Sequence, residues 1–128
     1  MKAPAFIIKK CIQKGTFRNV MEGSNRVGFE VKLKNKIGSG TLVGLSKIRI
    51  NDNQYPLDMF LAIKNGEEYR AGELGEGRPM TFKFGDELTL KVLDGKGLEP
   101  GKYRVGVTVD FVGMGKVDID YEDEMLEP

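Results

Sequence analysis

Asp118 and Asp120, and Glu122 and Glu124, are two carboxylate pairs at i, i+2 spacing. In a strand, that spacing puts both members of a pair on one face. Two carboxylates side by side suit Ca²⁺ or acid–base work. No Asp-rich loop with a Gly at its sharp turn accompanies them, so they read as a solvated acidic segment. Gly38-Ser39-Gly40-Thr41 and Gly75-Glu76-Gly77-Arg78-Pro79 are the stretches that could cradle a phosphate. A phosphate loop lies between a strand and a helix and carries a Lys-Ser/Thr pair or a third Gly in place. Neither stretch does, and both read as turns. Cys11 has Lys9 and Lys10 beside it, which favour a thiolate, but no base lies in sequence reach; it reads as a buried or idle thiol. Phe17-Arg18-Asn19 is an aromatic–cation–amide run. Its Arg18 could hold a neighbouring loop or a partner carboxylate through a bidentate pair.

Lys9, Lys10, Lys14, Arg18, Arg26, Lys32, Lys34 and Lys36 could form a phosphate-contacting stripe, with Phe6, Phe17 and Phe29 to stack bases. An overall net charge of +1 argues against a nucleic-acid partner. The split behind that number is large. Residues 1–50 carry eleven Lys/Arg against Glu22 and Glu30, for +9, and residues 51–128 carry nine against seventeen acids, for −8. Basic residues alternate with apolar ones as strand faces do. The split therefore reads as strands of both halves interleaved in one structure, with opposite charges paired across neighbours.

The 128 residues contain no His and one Cys. That removes Ser-His-Asp triads, Cys-His dyads, His-ligated zinc, internal disulfides and Cys-only metal sites. No catalytic, cofactor or metal site is expected in this chain. The longest apolar runs, Ala5–Ile8 and Met59–Ile63, are too short to span a bilayer. No apolar segment of secretory type follows the first residues. The expected location is cytoplasmic, with no membrane association.

Strands must position whatever function there is. Phe29, Val31 and Leu33 alternate with Glu30, Lys32 and Lys34; Ile48 and Ile50 alternate with Lys47 and Arg49. Leu88, Leu90 and Val92 alternate with Glu87, Thr89 and Lys91. Tyr103, Val105, Val107, Val109 and Phe111 form the longest such row. Each is a half-buried strand by its period of two, and one wet face is antiparallel behaviour. Turns are expected at Asn51-Asp52-Asn53, Asn65-Gly66, Gly85-Asp86 and Gly113-Met114-Gly115. Leu57–Lys64 is short enough to be helix or strand, and Gly72–Pro79 reads as a surface loop. Residues 1–128 therefore predict a single all-β domain: one antiparallel β-sandwich, jelly-roll-like, of about 9–10 short strands. Residues 117–128 hold six acids and no base, and read as a solvated, partly mobile terminus.

Several landmarks, in this order, resemble a known family. They are Phe17-Arg18-Asn19-Val20, then Gly28-Phe29 opening a strand, then Leu45–Ile50 followed by Asn51-Asp52-Asn53. Tyr69-Arg70-Ala71-Gly72-Glu73-Leu74 and Phe82-Lys83-Phe84-Gly85-Asp86 follow. Gly97-Leu98-Glu99-Pro100-Gly101 then runs into Tyr103–Val112. Across roughly residues 12–121 they are similar to the small β subunit of bacterial C-glycoside deglycosidases. Phe82 departs from the pattern, which has Trp there. The resemblance implies a jelly-roll-like subunit without a catalytic site of its own. Its partner would be a larger α subunit with a sugar-isomerase-like TIM barrel, which carries a divalent metal (Mn²⁺) and the acid–base residues. The complex would be a carbon–carbon lyase that separates a 3-oxo sugar from an aromatic aglycone.

A permanent interface of that kind needs desolvated aromatic or aliphatic anchors, often with arginine. Phe17, Arg18, Asn19, Tyr55, Met59, Phe60 and Tyr69 fall outside the clean alternating rows and are the expected partner-facing residues. The alternative functions are a stand-alone carbohydrate-binding module using Tyr55, Tyr69, Tyr103 and Tyr121, or a homo-oligomeric β-sandwich.

Overall fold

A computed structural model describes residues 10–13, 15–36, 38–75, 77–113 and 115–125. Two antiparallel five-stranded sheets face each other across one core. Numbered in chain order, the first sheet runs β1 (Arg18–Glu22), β2 (Asn25–Lys34), β8 (Glu87–Val92), β5 (Phe60–Lys64), β6 (Glu67–Arg70). The second runs β10 (Gly115–Met125), β9 (Gly101–Phe111), β3 (Gly40–Ile50), β4 (Asn53–Tyr55), with β7 (Met80–Phe82) also paired to β3. The all-β sandwich is therefore as the alternation predicts.

The period of two sets the register. Phe29, Val31 and Leu33 of β2 lie opposite Val92, Leu90 and Leu88 of β8, so every apolar residue of one row meets one of the other. A one-residue slip would turn both rows to water. Ile48 and Ile50 of β3 pair with Val107 and Val105 of β9 and face that row across the core. The turns follow the residue chemistry. Asn51 (φ 53°) links β3 to β4, and Asn65 (φ 49°) with Gly66 (φ 88°) links β5 to β6. Those positive values are what a right-twisted two-residue hairpin requires.

Three segments differ from, or refine, the sequence reading. Leu57–Lys64 is both of its options in succession: a 3-10 turn over Leu57–Met59, then β5. Within the expected surface loop 72–79, Leu74 is buried, because a 3-10 turn at Ala71–Glu73 directs it inward. Val117–Met125 of the acidic segment run as β10, paired residue for residue with β9, whereas residues 126–128 lie outside the described residues. Met114 of the Gly113-Met114-Gly115 turn lies outside them too.

The two charge halves do interleave. Arg26 of β2 meets Glu99 at 3.1 Å, and Arg49 of β3 reaches Asp120 of β10 at 3.3 Å. The backbones of β2 and β8 approach closely at Gly28. A Cβ there would lie 2.0 Å from the Val92 carbonyl oxygen.

Candidate partner interface

The seven side chains expected to face a partner do not form one surface. Phe17, Asn19, Phe60 and Tyr69 are 1, 5, 2 and 5% exposed, so they belong to the interior. Phe17 plugs the space between the sheets, edge-on to Phe29 of β2 and to Tyr103 of β9, with centroids 6.3 and 6.2 Å apart. The Asn19 side chain donates to the Leu98 carbonyl and accepts the Leu98 N–H, both at 2.8 Å, and so ties the loop before β9 to β1. Tyr69 donates its hydroxyl to Glu67 and carries the Arg78 guanidinium over its ring at 4.2 Å. Tyr55 and Met59 are half-buried, and Tyr55 packs edge-on against Phe29. Only Arg18 is exposed, and it lies 3.8 Å from its cross-strand neighbour Glu30.

Phe17 and Phe29 are core residues and stack no bases; Phe6, Lys9 and Lys14 of the basic stripe lie outside the described residues. Cys11 is a free, half-buried thiol.

Two surfaces stand out instead. The first is the outer face of the second sheet. Gly106 of β9 has no side chain, and Arg49 lies across it from β3 to reach Asp120 on β10; a Cβ would fall 2.6 Å from Asp120 Oδ1 and 2.8 Å from the guanidinium. Arg49 also donates to Thr108 Oγ1 at 3.4 Å, and Thr108 donates to Asp118 at 2.7 Å. That hydroxyl holds the Asp118 carboxyl below the usual aspartate range. Here the i, i+2 carboxylates do share one face. Each, however, is engaged by a strand neighbour, and among the described residues no three metal-ligating side chains are grouped to hold an ion. Arg49, Asn51, Arg104, Asp120 and Glu122 line an open groove of about 550 Å³. Tyr121, half-buried, lines it too, so among the described residues the groove is polar in its charged side chains and offers no fully exposed aromatic ring.

The second surface is an end of the sandwich. Phe84 and Val112 are 65 and 63% exposed, well beyond Met21 and Leu93 at 39 and 44%. Val112 directly follows β9 and Phe84 lies two residues beyond β7, the two strands that flank the start of β3. The signal in the sequence was Phe82-Lys83-Phe84: alternation puts both rings on one side, but the Gly85 turn (φ 91°) releases Phe84 to solvent while Phe82 stays half-buried.

The inner face of β10 holds a buried polar pair. Tyr121 Oη and Asp123 Oδ2 have no hydrogen-bond partner among the described residues. Tyr121 lines a core cavity of only about 30 Å³, with Phe17, Leu33 and Ile119. That is room for about one water. Burial keeps the Tyr121 phenol neutral far into alkali, and Asp123 adds to it. Burial also raises the Asp123 carboxyl above the usual aspartate range, with Glu124 adding to it and the Glu124 N–H opposing. A carboxyl whose acidity is weaker folded than unfolded destabilises the fold when ionised. The penalty is relieved as pH falls through the folded-state value toward the unfolded one. Asp123→Asn is therefore expected to be more stable than the parent at neutral pH. The gap should close on mild acidification, as urea midpoints measured against pH would show. A pH-independent gap would contradict the buried charge.

A family model for the C-glycoside deglycosidase beta subunit matches residues 7–113. No curated protein matches the chain.

Proposed function

The chain belongs to the C-glycoside deglycosidase β-subunit family, and on that premise we propose that it is the accessory subunit of a heteromeric, cytoplasmic carbon–carbon lyase acting on 3-oxo-glycosides. The observation that carries this reading is the family match over residues 7–113. Its partner is a larger α subunit of sugar-isomerase-like TIM-barrel fold. That subunit supplies the divalent metal, Mn²⁺, and the groups that move protons as the bond between sugar and aglycone breaks. No step is routed through this chain, which has no His and no grouped ligands among its described residues. Its contribution is a rigid two-sheet body that supports the α subunit and shapes the entrance to its active site.

The arrangement of aromatics supports this over a carbohydrate-binding module. Such modules stack sugars on exposed rings. Tyr69 is buried here, Tyr55, Tyr103 and Tyr121 are half-buried against the core, and no Trp exists. The core cavity is far below the ~300–1,000 Å³ of ligand pockets. Among the described residues, the polar groove around Arg49 and the single exposed ring of Phe84 are the features a sugar could use. Reconstitution tests the proposal. The α subunit is assayed for aglycone release from a 3-oxo-C-glycoside with and without this chain, and again after chelation. Activity that needs both subunits and is lost on chelation supports it. Full activity of the α subunit alone, together with saturable binding of sugars to this isolated chain, would replace it with the carbohydrate-binding reading.

A further inference from the structure

Resting on that reading, we propose that the end of the sandwich bearing Phe84 and Val112 is where the partner subunit docks, the two side chains entering an apolar pocket of that partner ringed by its acidic side chains. Single exposed apolar residues are ordinary. What sets these two apart is their shared, clamped position. The Val112 N–H donates to the Thr41 carbonyl at 3.0 Å, and the Phe84 N–H donates to Ser39 Oγ at 3.3 Å, so both are pinned to residues adjoining Gly40. Behind them stand two more rings. Phe82 pairs with Gly40 and Phe111 with Leu42, and both are half-buried. A Cβ on Gly40 would lie 3.4 Å from the Phe111 ring, so the glycine lets that ring lie close over the strand.

The turn carrying Phe84 is held from beneath by Asn35, whose side chain is buried. Its amide donates to the Gly38 carbonyl at 2.8 Å and the Phe82 carbonyl at 3.1 Å. Its backbone accepts from Gly85 N–H at 2.7 Å and donates to the Asp86 carbonyl at 2.9 Å. Asp86 closes the turn, accepting from Lys83 N–H at 2.8 Å and the Asn65 amide at 3.2 Å. Those donors hold its carboxyl below the usual range. An aromatic ring displayed on a backbone already fixed in place loses little freedom on binding. Hot spots are such rings, central and surrounded by polar groups.

The surrounding charge fixes the partner's chemistry. Lys34, Lys36 and Lys83 are exposed and form no ion pair among the described residues. The nearby carboxylates are engaged, Asp86 within its turn and Glu87 by the Gln13 amide at 3.1 Å. Hydrogen bonding leaves both carboxylates charged, so the three lysines outnumber them by one; the rim is weakly basic, and a complementary surface carries acidic groups.

The test uses the full chain and the α subunit recovered with it. Phe84→Asp and Val112→Asp are each expected to weaken the complex about 100-fold or more, the size of a hot-spot loss. Leu93→Asp, elsewhere on the surface, should change affinity less than about threefold, within the scatter of near-neutral interface positions. Thermal melting checks that each variant is folded; if an Asp variant is not, Phe84→Ala replaces it, with a smaller loss expected. The Lys36→Glu/Lys83→Glu double variant should slow association and flatten its salt dependence. Wild-type affinity in the folded Phe84 and Val112 variants overturns the docking surface and leaves the accessory-subunit reading standing. A wild-type chain that recovers no α subunit overturns both. A homodimer of the wild-type chain that Phe84→Asp splits would assign the patch to a second copy, and would overturn the proposal as well.

Discussion

Gly28→Ala is expected to destabilise the chain by about 3 kcal/mol or more. The added Cβ would sit 2.0 Å from the Val92 carbonyl oxygen and 2.9 Å from the Leu93 Cα. Both obstacles are backbone, so no side chain can swing away. Relief requires β2 and β8 to part just where Phe29 pairs with Val92. That pairing lies at the centre of the first sheet, with β1 on one side and β5 on the other. Overpacking a core typically costs about 1–3 kcal/mol, and a backbone collision between central strands belongs at or above the top of that range. Such a loss is a large part of the ~5–15 kcal/mol that holds a domain of this size folded. Gly23→Ala is the control: nothing lies within 4 Å of its Cβ position, and only its φ of +61° opposes the change. It should cost about 1–2 kcal/mol, the left-handed penalty for a residue with a Cβ. Urea unfolding of the two variants reads the difference. A Gly28→Ala midpoint no lower than that of Gly23→Ala would mean that the β2–β8 approach is not as close as described.

Phe17→Ala is expected to destabilise the isolated chain by about 3–5 kcal/mol, the usual range for emptying a buried aromatic site. Phe17 is among the largest fully buried side chains, and it touches both sheets through Phe29 and Tyr103. Its removal opens a cavity continuous with the ~30 Å³ void it already lines, and edge-to-face pairs add about 0.5–1.5 kcal/mol each beyond area. Arg18→Ala, next in sequence, should cost no more than about 1 kcal/mol, because its side chain is 56% exposed and its pair with Glu30 is long. The contrast separates core from interface directly. If Phe17→Ala left the urea midpoint unchanged while abolishing partner binding, Phe17 would be an anchor after all and its burial here would be wrong.

That contrast also shows what could be read from residues alone. The rows of β2, β8 and β9 were legible because one face of each meets water, which writes a period of two into the chain. The hairpins at Asn51 and Asn65 were legible because few residues tolerate positive φ. Strands of three to five residues, such as β1, β4 and β7, carry too few alternations to be distinguished from loop. The anchors were misplaced for a related reason. Phe17 and Phe60 lie at the ends of elements, outside any alternating row, and sequence cannot say whether such a ring turns inward to plug the sandwich or outward to a partner. Phe84 has the reverse history: it looks like the next inward residue after Phe82, and only the Gly85 turn and the Asn35 clamp put it outside. The order of landmarks from Phe17-Arg18-Asn19 to Gly97-Leu98-Glu99-Pro100-Gly101 did carry the family, which the match over residues 7–113 shows. The charge split was also sound: Arg26–Glu99 and Arg49–Asp120 are pairs between the basic and acidic halves.

The most direct test of the accessory-subunit reading is a native-mass measurement of this chain captured from its own cell extract under gentle salt. The expected result is a fixed-ratio complex with one larger protein, identified by its peptides as a sugar-isomerase-like TIM barrel. Recovery of the chain alone, as monomer or homo-oligomer, at a concentration where permanent subunits stay associated, would contradict it.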